Sequence, residues 1–170
     1  MILEKNTAIQ NPQNSPELEA KKTRSLICKF DEQNNTLTYK QPNPLNIIIK
    51  KTPLATNINA VTFRHNQAYI IGISNTLKQH KSNFIIAHEI GHIVLHNKTL
   101  SVNMEKDHNM NNNIFSAMDI QANRFACELI MPTTIFIKKH KVFNPDQLAH
   151  YFKVNKNIIQ YKIKLVGSNM

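Results

Sequence analysis

No apolar run in this 170-residue chain approaches the roughly 20 residues that a membrane-spanning helix needs. The first residues, Met1-Ile2-Leu3-Glu4-Lys5-Asn6, lack the basic-then-apolar pattern of a secretion signal. Cysteine is nearly absent: only Cys28 and Cys127 occur, one of them inside a helical pattern, which argues against a disulfide framework. Together these absences lead to the expectation of a cytosolic (cytoplasmic) protein. Acids are scarce as well, 11 against 21 Lys and Arg, for a formal net charge of +10. From Pro132 to the end, Lys138, Lys139, Lys141, Lys153, Lys156, Lys162 and Lys164 face a single acid, Asp146. A basic face attracts nucleic acid or an acidic partner. However, Lys far outnumbers Arg and Asn is abundant, a bias that an AT-rich genome produces without any partner, so direct nucleic-acid binding is not the expectation. Hydrophobic content is ordinary, and the length suffices for one domain with a real core.

The chain is organised around Phe84-Ile85-Ile86-Ala87-His88-Glu89-Ile90-Gly91-His92-Ile93-Val94-Leu95-His96, an apolar helix carrying H-E-x-x-H, expected over about 83–97. His88 and His92 are four residues apart, so their imidazoles lie one turn apart on one face, as two ligands of a tetrahedral metal require. Glu89 lies about 100° around from His88, poorly placed as a third ligand and well placed as a base for a metal-bound water. Apolar flanks half-bury these polar groups, which a metal would satisfy. Gly91, mid-helix, costs about 1 kcal/mol against Ala and marks a close backbone approach.

Residues 1–45 form an Asn/Pro-rich N-terminal segment, partly disordered over its first dozen residues, with one helix over about 16–31. Ser15-Pro16-Glu17 supplies its N-cap, and Leu18, Leu26, Ile27 and Phe30 give a thin apolar stripe. Thr36–Tyr39 and Asn46–Ile49 read as short strands separated by Pro42 and Pro44. Ala60–Arg64 and Ala68–Ile73 flank His65-Asn66-Gln67, a hairpin signature. Its function is either to hold a substrate peptide along an open edge or simply to cover the helix. Residues 97–115 read as a polar loop, either a lid or a linker.

A second constellation runs from Met118 to Pro132, with Ala122, Phe125, Ala126, Leu129 and Ile130 at helical spacing and Pro132 as terminator. Asp119 and Asn123 are i and i+4 on one face. A carboxylate at 119 is a candidate third ligand or simply an N-terminal helix acid favoured by the dipole, and Asn123, one turn on, is a candidate to hydrogen-bond a ligand histidine. Glu128 lies about 180° around the helix from Asp119, so the two do not point at one metal. Thr134–Ile137 is a short apolar piece. Asn144-Pro145-Asp146 caps a helix through Leu148 and Phe152, and Asn155 another through Ile158, Ile159 and Ile163. This pair is read as packed on the domain rather than as a DNA-reading helix-turn-helix, because its outward residues are Lys.

Taken together, the helix F-x-x-A-H-E-x-G-H-x-x-x-H from Phe84 to His96 and the segment A-N-x-F-A-x-E-L-x-M-P from Ala122 to Pro132 resemble the ImmA/IrrE family of zinc-dependent metallopeptidases. Asp146–Val154 is similar to the family's C-terminal helix pair. The resemblance implies an α+β, zincin-like metallopeptidase domain over 46–170: a short, mostly antiparallel sheet against the H-E-x-x-H helix, with a C-terminal helix pair. It implies a protease of regulatory proteins, commonly helix-turn-helix repressors or antitoxins encoded in mobile elements or stress-response loci. Carried over to this sequence, His88 and His92 become zinc ligands, Glu89 the general base and Asp119 the third ligand. Asp119 stands where the family usually has Glu, about 1.5 Å longer. His96 is the alternative third ligand, but in an unbroken helix it lies about 12 Å along the axis from His88 and reads better as a helix-end histidine or one that supports a ligand by hydrogen bonding. His65, His150 and Tyr151 are open candidates for an oxyanion donor. The competing reading is a catalytically weak, metal-containing sensor or binding module that contacts a transcription factor or DNA.

Overall fold

The computed structural model describes residues 15–31, 36–96, 102–106 and 116–167. The expected disorder of the first dozen residues, and most of the 97–115 loop, lie outside them. Among the described residues the chain is α+β, with two small sheets and six helices, and no helix is long and apolar enough to cross a membrane.

Helix α1 (Pro16–Ile27) starts as its sequence dictates: Ser15 accepts the Leu18 N–H at 3.2 Å, and Pro16 fills the first turn. It stops at Ile27, four residues short of the expected end, because Cys28–Asp31 becomes strand β1. That strand pairs antiparallel with β2 (Thr36–Tyr39), and the pairing overrides the weak helical pattern. Of the expected apolar stripe only Ile27 is buried. Ala20, Thr23 and Ile27 face inward, whereas Leu18, Leu26 and Phe30 are exposed. Small residues let α1 lie close to α3, an approach tied by Arg124 to Glu17 at 2.8 and 3.2 Å.

Strands β3 (Ile47–Thr52), β4 (Ile58–His65), β5 (Ala68–Ser74) and β6 (Val102–Lys106) form the main sheet in the order β3-β5-β4-β6. The β4–β5 hairpin turns at Asn66, whose φ of 54° suits Asn better than most residues. β3 runs parallel to β5, while β6 runs antiparallel to β4. Both hairpin strands are therefore interior, so the hairpin offers no open edge for a peptide. The edges are β3 and β6, and β6 is a strand inside the stretch expected to be a loop.

Helix α2 (Gln79–His96) packs on β4 and β5 and, more extensively, against α3 (Ala117–Ile130). Every residue from Ala87 to Ile93 is buried, so the middle of this helix is enclosed on all faces. Ile71 and Ile73 of β5, Ile90 of α2, and Phe125 and Leu129 of α3 belong to one core. Gly91 is the point of closest approach. A Cβ there would stand 3.1 Å from both Ala122 Cα and Phe125 Cδ1, and 3.2 Å from Ala122 O. Ala at this position would regain about 1 kcal/mol of helix propensity against about 1–3 kcal/mol of overpacking. Val has lower propensity and more bulk, so Gly91→Val is expected to lower the melting temperature by several degrees, measurable by calorimetry; an unchanged midpoint would refute the close approach.

Helices α4 (Thr133–His140), α5 (Pro145–Phe152) and α6 (Lys156–Gly167) complete the chain. The apolar piece at 134–137 is thus helical, with Phe136 in the core. Asn144 and Gln147 form a reciprocal capping box at the start of α5.

Candidate metal centre

The close contact at Gly91 brings the first turn of α3 against the middle of α2, where His88 and His92 lie. His88 Nε2 and His92 Nε2 stand 3.0 Å apart, and Asp119 Oδ1 stands 3.4 Å from His92 Nε2. One ligand atom from each of the three side chains lies within 4.8 Å of the other two. Two adjacent ligands of a tetrahedral zinc, each at about 2.0–2.2 Å from it, are roughly 3.3 Å apart. The donor set, and the 3.0 and 3.4 Å separations at His92, therefore fit a divalent metal.

Hydrogen bonds around the three side chains orient these atoms. His88 Nδ1 is 2.9 Å from Asn123 Oδ1; with Nδ1–H donating to that oxygen, the lone pair is left on Nε2, where the three side chains converge. Asp119 is the third residue of α3, and its carboxylate closes a capping box. Ser116 donates to Oδ2 from both Oγ (2.7 Å) and its backbone N–H (3.1 Å), while Asp119 N–H donates back to Ser116 Oγ at 3.1 Å. This leaves Oδ1 facing the histidines.

Protonation states are also suited to a metal. Burial, reinforced by neighbouring His92, pushes the His88 imidazole down to about 4. Burial likewise lowers His92, although Asp119 pulls the other way. Burial pushes the Asp119 carboxyl up, but the hydroxyl and backbone N–H of Ser116, together with the histidines, hold it below the usual carboxylate range. Near neutral pH the site thus presents two neutral imidazoles and one carboxylate, the forms that ligate. The histidine side chains are buried, while that of Asp119 is 34% exposed, so the centre opens to solvent on its α3 side.

The other residues singled out by sequence are dispersed. Glu89 is fully buried on the same turn as His88. His96 ends an unbroken α2, 5.4 Å ring to ring from His92 and 2.8 Å from Gln121 Oε1. Glu128 is turned away, as its spacing requires, and pairs with Lys162. His65 is exposed at the end of β4 and His150 is exposed on α5, whereas Tyr151 packs against Phe143 and Phe152. Sequence reasoning missed Ser116 and Gln121. The Ser116-x-x-Asp119 pattern is a capping-box signature that points to Ser116, but no short-range pattern pairs Gln121 with His96.

Residues 44–164, from just before β3 almost to the end of α6, match the peptidase family described as the IrrE N-terminal-like domain. Metallopeptidase ImmA of Bacillus subtilis (strain 168) is 33% identical over 111 residues, covering 62% of this chain and 63% of that protein, so the chain spans less than two thirds of that relative's length. The matched region holds the whole main sheet and both helices of the histidine–aspartate cluster, and on that ground the chain belongs to the IrrE N-terminal-like peptidase family.

Proposed function

We propose that this chain is a zinc-dependent, site-specific endopeptidase acting in the cytoplasm on a regulatory protein. The observation that carries the reading is the convergence of His88, His92 and Asp119 within 4.8 Å, beside a buried carboxylate on the same turn of α2. In this proposal His88, His92 and Asp119 hold the metal, and residues 46–170 form the zincin-like catalytic unit behind the N-terminal segment 1–45. Zinc held there would polarise the scissile carbonyl and lower the pKa of a water to about 7. Glu89 accepts the proton of that water as its oxygen bonds to the carbonyl carbon, then returns it to the amine nitrogen as the C–N bond breaks. Asn123 keeps the His88 ring in its ligating tautomer. Gln121 holds His96 as a supporting residue.

The substrate class rests on the resemblance to ImmA/IrrE proteases: a DNA-binding repressor or antitoxin, from a mobile element or stress-response locus. Zinc is favoured by a donor set of two imidazoles and one carboxylate.

Elemental analysis of the purified chain beside Asp119→Ala tests the centre. We expect about one zinc per wild-type chain and a marked loss in the variant. Full zinc retention by Asp119→Ala would move the third ligand elsewhere, with His96→Ala the next variant. Absence of metal in the wild type after zinc is supplied would refute the reading.

A further inference from the structure

Asp119 is the weakest-held member of the cluster by position. It sits in the first turn of α3 and is the most exposed of the three side chains. Its two carboxylate oxygens nevertheless face different partners. Oδ2 accepts both donors of Ser116, at 2.7 and 3.1 Å, whereas Oδ1 points toward His92 Nε2 at 3.4 Å. The Ser116 hydroxyl also accepts the Asp119 N–H at 3.1 Å, so a three-bond ring fixes both the backbone and the side chain of Asp119.

We infer that Ser116 is a positioning residue for the metal centre: its hydroxyl locks one oxygen of Asp119 so that the other is presented as a one-oxygen ligand. The inference rests on the proposed metal site and deepens it. Two physical points support it. A short carboxylate that must reach an ion loses affinity whenever it samples other rotamers, and hydrogen bonds that hold a ligand in place are typically worth a factor of about 10–100 in metal affinity. The geometry is the second point. At the third helical residue, Asp closes the box with Ser116 while its second oxygen still lies 3.4 Å from a ligand histidine.

The test separates positioning from ordinary helix capping. Gly is nearly as good as Ser at an N-cap but has no hydroxyl. In the full chain, zinc affinity is measured by competition with a chromophoric chelator, for wild type, Ser116→Gly, Ser116→Thr and Asp119→Ala, together with the melting temperature of each metal-free protein. Expected is a zinc dissociation constant about 10–100-fold higher for Ser116→Gly, recovery toward wild type for Ser116→Thr, and nearly equal metal-free melting temperatures. Cobalt spectra of wild type and Ser116→Gly should differ, reporting a changed ligand field. Wild-type affinity in Ser116→Gly, with loss confined to Asp119→Ala, would overturn the role of Ser116 and leave the metal centre standing. Weaker binding that Thr does not restore, accompanied by a lower metal-free melting temperature, would reduce Ser116 to a helix cap. No zinc binding by the wild type would remove the inference together with the site.

Discussion

Glu89→Gln is expected to keep its zinc and lose peptide cleavage. The amide is isosteric with the carboxylate, so the packing of a fully buried side chain is preserved and His88 and His92 keep their places. What disappears is a group able to take a proton from water and return it to the leaving amine. Removal of a positioned general base costs about 10²–10⁴-fold in rate. The assay presents the zinc-loaded chain with a peptide library derived from a whole proteome and identifies new N-termini by mass spectrometry. Wild type should generate a narrow set of cleavages and the variant none, at equal metal content. A variant as active as wild type would exclude Glu89 as the base. Loss of both metal and activity would instead make Glu89 a support of the ligand histidines. The same library defines the residues around the scissile bond and so tests the proposed regulatory-protein substrate.

Glu128→Ala is expected to have the largest effect on stability. Glu128 and Lys162 are both almost completely buried, with Lys162 Nζ at 2.8 Å from Glu128 Oε2 and 2.8 Å from Thr133 Oγ1. The carboxylate also accepts Thr133 Oγ–H at 2.6 Å and Thr133 N–H at 3.2 Å. It thus satisfies the first turn of α4, where Pro132 provides no side-chain cap. Removing it leaves a buried ammonium without its counter-charge, a change that costs about 3–5 kcal/mol, or on the order of 6–20 °C in melting temperature for a chain of this length. Lys162→Met should cost less, because Glu128 keeps the Thr133 donors. The double variant Glu128→Met with Lys162→Met should recover much of the loss, since well-packed apolar replacements of buried ion pairs are often neutral or stabilising. Thermal unfolding of the four proteins measures these differences. Equal, small losses in all variants would show that the pair contributes little.

Much of the architecture was legible in the chain because its signals are local. Ser15-Pro16, Asn144-Pro145 and Pro132 mark helix boundaries through capping and the missing proline N–H, effects that act over a few residues. The hairpin around Asn66 follows from β-rich runs on either side of a residue that tolerates positive φ. Where local signals are weak, partners at a distance decided. Cys28–Asp31 left the helical pattern to pair with β2, and α1 buried Ala20 and Thr23 rather than Leu18 and Leu26. Its face is set by the close approach to α3, which favours small side chains. Strand β6 alternates Val102-Asn103-Met104-Glu105 over only a few residues inside a polar stretch, so its pairing with β4 is what defines it. That pairing, together with β3 on β5, closes both edges of the hairpin, for which the sequence had left peptide holding and helix covering as alternatives.

By itself, the sequence determined the pair of histidines on one helical face, the neighbouring Glu89, the mid-helix Gly91 and the opposition of Asp119 and Glu128 around α3. All of these are consequences of a fixed rise and rotation per residue. Only the tertiary structure decided which carboxylate meets the histidines, which oxygen it presents and what holds it there. Those depend on the approach of α3 over Gly91 and on the Ser116 capping box beside it, contacts between helices about 30 residues apart whose distance no helical period encodes.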